Sequence, residues 1–220
     1  QARWRPDGFK TFAMTAMALD PAGGGTDDQV LAWRHGGWYA PLVAVRGEQT
    51  ADGSQAAATV VRYRRDNAPV IVDVGGGYGG APCLRLKDNG IDHRPFNGGA
   101  ASTARTKDGT LRFKNKRAEA WWRFREELDP DQEGGSAIAL PPDAELKSDL
   151  AAPTFMVETQ GIQLESKDDI RDQIGRSPGR GDAVVMALSE GNAAVRRSIL
   201  LNRGNMPKVV MSHAQARRGH

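Results

Sequence analysis

Cysteine occurs once in the 220 residues, at Cys83. No internal disulfide and no cysteine-based zinc cluster can form, which fits a reducing compartment; Cys83 itself reads as a small buried residue. Histidine is nearly as scarce, with four in the chain, and none shows the H-x₃-H type of spacing that holds zinc. No apolar run approaches the roughly 20 residues that span a bilayer, so no membrane partner is expected. The opening QARWRPDGFK has neither an initiator Met nor the apolar core of a signal peptide, and reads as the start of a fragment. No G-x-x-x-x-G-K-[ST] phosphate loop occurs, which argues against a P-loop motor. Acidic residues are missing from Gly191 to His220, where six Lys and Arg fall although the net charge is only +3. Arg196, Arg197, Arg203 and Lys208 in that tail point to a polyanionic partner.

What is present reads as a mixed α/β domain over 1–190, followed by a basic tail over 191–220. Thr11 to Leu19, Val30 to Arg34 and Trp38 to Arg46 are predicted as three strands of an antiparallel meander, the last two separated by the hairpin signal HGG. Ser54 to Arg65 has helical spacing. Val70 to Val74 is a short continuous apolar run, the signature of a central strand covered on both faces. A short helix over Pro82 to Lys87 and a strand over Ile91 to Phe96 continue as α/β crossovers. Asn115 to Leu128 is predicted as a helix with Ala118, Trp121, Trp122 and Leu128 on one face and Arg and Glu opposite. Trp121 reads as core and Trp122 as core or interface. Thr154 to Thr159 and Ile162 to Ser166 flank QG as a hairpin. Lys167 to Ile174 is a charged helix, and another begins at Asp182.

Three aspartates occupy comparable places. Asp20 ends the first strand, Asp73 lies near the end of the central strand, and Asp182 opens a helix after a glycine-rich turn. If the first and fourth strands are neighbours, Asp20 and Asp73 emerge at one sheet edge, and a helix crossing that edge adds Asp182. Three carboxylates so close cannot all stay ionised without a compensating cation. Hard oxygen ligands suit Mg²⁺ or Mn²⁺, and two such ions about 3.5–4 Å apart support in-line phosphodiester hydrolysis. The glycines of VDVGGGYGG then leave room for a nucleic-acid backbone beside Asp73.

The blocks LDPAGGGTDDQVLAW, VIVDVGGGYGG, FKNKRAEAWWRFREEL, IALPPDAELKSDLAAP and IQLESKDDIRDQIGRSPGRGDAVVMA occur in an order that resembles the C-terminal nuclease domain of the large terminase subunit of tailed bacteriophages. The resemblance covers about Ala13 to Ala187. It implies an RNase H-like fold with an extra β-hairpin, and a metal-dependent endonuclease that cuts concatemeric double-stranded viral DNA during packaging. The family's acidic triad falls on Asp20, Asp73 and Asp182. A further acid of the first motif falls on Asp27, with Asp28 the alternative, and Lys167 falls near the cut strand. The resemblance further implies two Mg²⁺ or Mn²⁺ ions and the cytoplasm of an infected bacterium. Its partners would be a terminase ATPase domain not contained in this sequence, a small terminase subunit and a portal. SPGRGDA departs from many relatives in having Gly179 where an acid would follow the proline.

Two rival readings come from other classes. Gly75, Gly77 and Gly80 satisfy G-x-G-x-x-G between a strand and a helix, as in a dinucleotide-binding fold. Against it, Asp73 would stand beside the pyrophosphate, and no acid ends the next strand to take a ribose. A non-catalytic DNA-binding or scaffold domain of RNase H-like shape would explain the basic tail equally well.

Overall fold

The structure, a computed structural model, describes residues 4–8 and 12–189; the basic tail and its four named cations lie outside the described residues. The elements in chain order are β1 (Ala16–Asp20), β2 (Asp28–His35), β3 (Trp38–Tyr39), β4 (Val43–Arg46), α1 (Gly53–Tyr63), β5 (Val70–Asp73), α2 (Gly80–Asp88), β6 (His93–Phe96), α3 (Lys116–Leu128), α4 (Ala144–Ala151), β7 (Phe155–Glu158), β8 (Gly161–Leu164) and α5 (Lys167–Ile174). A further helix, α6, runs over 179–189.

Six strands form one sheet in the order β3-β2-β1-β5-β6, with β4 also paired to β2. β1 and β2 are antiparallel, whereas β1, β5 and β6 run parallel. The predicted third strand is therefore split. Arg34 faces Tyr39 and Leu31 faces Val43, so three residues, 40–42, oppose only two on β2. This is a bulge, and Pro41, which has no N–H for a ladder, sits in it. The first strand begins later than predicted, at Ala16, because Met14 and Thr15 are held by Asp66 and Arg34 outside the regular ladder. β7 and β8 form the separate hairpin.

Strand alternation divides the core into two layers. Ala16, Ala18, Val30, Ala32 and Ile71 face α3, α4 and α6, where they meet Trp121, Phe124, Leu146 and Val184. Met17, Leu19, Leu31, Val70 and Val72 face the other way, onto Ala56, Ala57 and Val60 of α1 and Leu86 of α2. The alanines let α6 lie close to the sheet, and residues 181–188 of that helix are all buried. Tyr39 Oη and Arg34 Nε donate to the carbonyls of Val184 and Ala187 at 3.1 and 2.8 Å. These bonds fix α6 lengthwise across the sheet.

Ile71 is fully buried in the central parallel strand. Ile71→Ala is expected to lower the unfolding free energy by about 2–5 kcal/mol, read from urea denaturation with an unchanged slope.

Candidate functional site

The parallel pairing of β1 with β5 sets Leu19 beside Val72. The next residues, Asp20 and Asp73, leave the sheet side by side at the carboxyl edge of the parallel strands. In open α/β sheets this is the edge where ligands bind. The β5–α2 loop folds back sharply there. A Cβ on Gly79 would stand 2.1 Å from the Asp73 carbonyl oxygen, so only glycine fits. Gly75 N donates to Asp73 Oδ1 at 2.8 Å.

α6 brings the third acid. Gly181, which precedes Asp182, donates its N–H to Asp149 Oδ2 at 3.0 Å, and Arg176 pairs with the other oxygen of Asp149 at 2.6 Å. Arg180 pairs with Asp143 and Glu145 at the start of α4. These contacts anchor the glycine-rich turn and set the first turn of α6 over the sheet edge. Asp182 is buried there, with Oδ1 accepting from Trp121 Nε1 at 2.8 Å and Arg117 Nε at 3.2 Å. Arg117 is held in turn by the Glu165 carbonyl at 2.9 Å.

Lys167 supplies the centre. Its Nζ lies 3.0 Å from Asp182 Oδ2 and 3.4 Å from Asp73 Oδ2. A lysine in the first turn of a helix opposes the helix dipole, and here the carboxylates compensate for that. Attraction to Asp182 above all, then to Asp20 and Asp73, raises the Lys167 pKa against the effect of burial. Burial pushes Asp20 up to about 7, with Asp182 and Asp73 adding to the rise and Lys167 opposing it. Burial would raise Asp182 as well, but Arg117, Lys167 and the Trp121 hydrogen bond outweigh it and hold that group at about 2.

Two clefts meet at this cluster. One of about 310 Å³ is lined by Asp73, Gly76, Asn115, Arg117, Trp121 and Asp182 among others. The second, about 170 Å³, is lined by Asp20, Asp27, Asp73, Tyr78 and Arg171 among others. Lys167 borders both.

Among solved structures, the nuclease domain of the large terminase subunit gp2 of bacterial virus Sf6 matches with a TM-score of 0.62 at 19% identity, over 84% of this chain and 90% of that one. A lysine-to-alanine mutant of that domain with manganese and beta-thujaplicinol gives 0.60 at 18% identity, over 84% and 89%. The mutant with manganese gives 0.59 at 16% identity, over 84% and 90%. The chain has the fold of a terminase nuclease domain. This is the RNase H-like arrangement of a mixed sheet flanked by helices, with a separate hairpin. No family profile and no curated protein sequence matches the chain.

On this terminase-type fold the sequence-predicted residues fall as follows. Asp20, Asp73, Asp182 and Lys167 come together. Asp27 lines the second cleft, but its carboxylate is paired with Arg171 at 2.7 Å. Asp28 starts β2 and borders a different hollow, with Glu145 and Arg180. Gly179 packs against the triad: a Cβ there would lie 3.1 Å from Asp20 Oδ2, so an acid at this position would press on Asp20. Trp121 is buried as expected, while Trp122 is half-buried against Phe155 and Phe113. Cys83 is half-buried rather than buried, because α2 packs one side of the sheet and leaves its outer face to solvent. The Gly75 N–H, one of the donors the dinucleotide reading would turn to a pyrophosphate, is already bound by Asp73.

Among the described residues, no three His, Cys, Asp or Glu side chains form a ready cage for a metal ion. The acids close on an ammonium instead. The donor set nevertheless fits a hard divalent cation. It is all carboxylate oxygen, it already binds a cation, and Asp182 Oδ2 is buried with, among the described residues, only the Lys167 ammonium against it.

Arg117 and Asp149 join the site without being singled out by the sequence. The predicted helix sets its Arg residues opposite Trp121. Arg117 and Trp121 are nevertheless four apart and so share a face, which is the signal that could have found them. The helix bearing Asp149 also goes unpredicted, although Asp143 caps it and Leu146 and Leu150 repeat at four.

Asp20 has a folded pKa above its unfolded value, so it binds more protons when folded. It favours the folded state at acid pH, and that advantage is lost as pH rises through about 7. In chelator, the thermal midpoint is expected to drop by several degrees between about pH 5.5 and pH 8. Asp20→Asn should remove most of that drop; Asp149, whose carboxyl burial also raises, is unchanged in that variant.

Proposed function

We propose that this chain is a metal-dependent endonuclease acting on double-stranded DNA, the nuclease part of a terminase large subunit in a tailed bacteriophage. The observation that carries the reading is that Asp73 and Asp182 pair with one cation, Lys167, with Asp20 beside them at the carboxyl edge of parallel strands. The terminase-type fold supports it independently, and two of the similar structures were solved with manganese.

In this reading Asp20, which feels the charge of both other acids, would hold two divalent ions, Mg²⁺ or Mn²⁺, together with Asp73 and Asp182. Such ions supply an activated water and stabilise the leaving oxygen of the phosphodiester. Asp73 stays in place through its bond to Gly75, and Asp182 through Trp121 and Arg117. Lys167, which borders both clefts, would offer its ammonium to the scissile phosphate. Asp27, released from Arg171, is a further ligand within reach of the same cleft.

Backbone contact carries most of the DNA affinity in this proposal, so sequence preference is weak. Arg196, Arg197, Arg203 and Lys208 of the 191–220 tail contribute phosphate contacts. The wider assembly is a terminase ATPase domain, a small subunit and a portal, working on concatemeric DNA in the cytoplasm of the infected host.

A supercoiled-plasmid assay in Mg²⁺, Mn²⁺ and chelator tests the reading. The chain is expected to nick or linearise plasmid only with metal, and Asp20→Ala or Asp73→Asn to lower the rate by roughly 100-fold or more. Plasmid binding without cleavage in either metal would instead favour a non-catalytic DNA-binding domain.

Removing residues 191–220 is expected to flatten the fall of log affinity with log salt, by about 0.9 for each phosphate that the tail neutralises. An unchanged slope would take the tail out of the interface.

A further inference from the structure

Asp182 differs from the other two acids in how its oxygens are used. Oδ1 accepts from Trp121 Nε1 at 2.8 Å and from Arg117 Nε at 3.2 Å. A carboxylate oxygen has two lone pairs, and both are taken. Among the described residues, Oδ2 faces only Lys167 Nζ, at 3.0 Å. The carboxylate cannot easily swing to exchange the two. Trp121 is wedged against the turn that carries Asp182, because a Cβ on Gly181 would come within 2.9 Å of its ring. The Arg117 guanidinium is tied to the Glu165 carbonyl and lies 5.7 Å from the centre of the Trp121 ring.

We infer that Trp121 and Arg117 are positioning residues that confine Asp182 to one-oxygen metal binding, and so favour Mg²⁺ or Mn²⁺ over Ca²⁺ at this position. The inference rests on the proposed metal site and adds its selectivity. Mg²⁺ needs a near-octahedral shell, commonly built from single carboxylate oxygens and water, and Mn²⁺ prefers the same oxygen octahedron. Ca²⁺ takes six to eight oxygens and often binds a carboxylate through both. A carboxylate with Oδ1 withheld serves the first class and starves the second. Charge alone does not make this distinction, since Mn²⁺ and Ca²⁺ carry the same charge. Removing Arg117 as a mere counter-ion would therefore shift both affinities together.

The test is calorimetric titration of Mn²⁺ and of Ca²⁺ into the full chain, with Trp121→Phe, Arg117→Met and Asp20→Asn alongside. Trp121→Phe keeps a buried ring and removes the donor; Arg117→Met keeps an unbranched stem and removes the guanidinium. The wild type is expected to bind Mn²⁺ more tightly than Ca²⁺, and Asp20→Asn to lose that binding. Trp121→Phe should weaken Mn²⁺ by about tenfold while Ca²⁺ weakens less or gains, so the Mn²⁺ to Ca²⁺ ratio falls. Arg117→Met should move the ratio the same way. A ratio unchanged in both variants overturns the clamp and leaves the metal site standing. No saturable Mn²⁺ uptake by the wild type, with or without duplex DNA, overturns the metal site and the clamp together.

Discussion

Asp20, Asp73 and Asp182 sit together in a largely buried place, and like charges at short range in low dielectric repel strongly. The surrounding structure offsets that repulsion. Lys167 and Arg117 contribute two positive charges against at most three negative ones. The remaining unit is absorbed by Asp20, whose carboxyl burial pushes up to about 7. With that one proton bound, the three acids and the two cations balance. A divalent cation would change the balance, because its charge would favour ionised Asp20 and it would compete with Lys167 for the same oxygens.

Holding the acids at that distance takes both layers of the core. The parallel neighbours β1 and β5 bring two strand ends to one edge. The third acid needs a helix crossing that edge, and α6 reaches it because Ala16, Ala18 and Ala32 present a shallow face. The first turn of α6 is not left to packing alone. Asp149, fully buried, takes the Gly181 N–H and the Arg176 guanidinium. A buried carboxylate costs free energy unless it is paired and hydrogen-bonded, and this one is both. The strand-end acids are thus placed by sheet topology, while the helix acid is placed by a polar network around a glycine-rich turn.

That difference marks what can be read from the sequence. The continuous apolar run at 70–74 and the strand ending at Asp20 follow from side-chain pattern, and the pattern also gives the mixed sheet. The charged helix from Lys167 to Ile174 has its predicted bounds in the structure. The bulge at Pro41 is marked only by the proline, because the apolar residues on either side of it read on as strand. Arg117, Trp121 and Asp149 act through partners 65, 61 and 32 residues away in sequence. The four-residue spacing of Arg117 and Trp121 shows only that they share a face; it does not name their distant partners, so a basic residue on α3 reads as solvated and a tryptophan as core. The ion pair between Asp27 and Arg171, 144 residues apart, is equally silent in the sequence.

The three acids are held in three different ways, and this suits unequal work. Asp73 is tethered by one backbone N–H in a glycine loop, which leaves its other oxygen to Lys167. Asp182 is gripped by two side-chain donors on one oxygen and kept ionised by the adjacent cations. Asp20 is confined instead by burial and by the close backbone of Gly179. A group held by exclusion rather than by donors keeps both oxygens for whatever cation enters. A side chain at position 179 would intrude on that space, which gives a physical reason for glycine where an acid might have followed Pro178. The same reasoning leaves Asp20, among the described residues, the least committed of the three carboxylates.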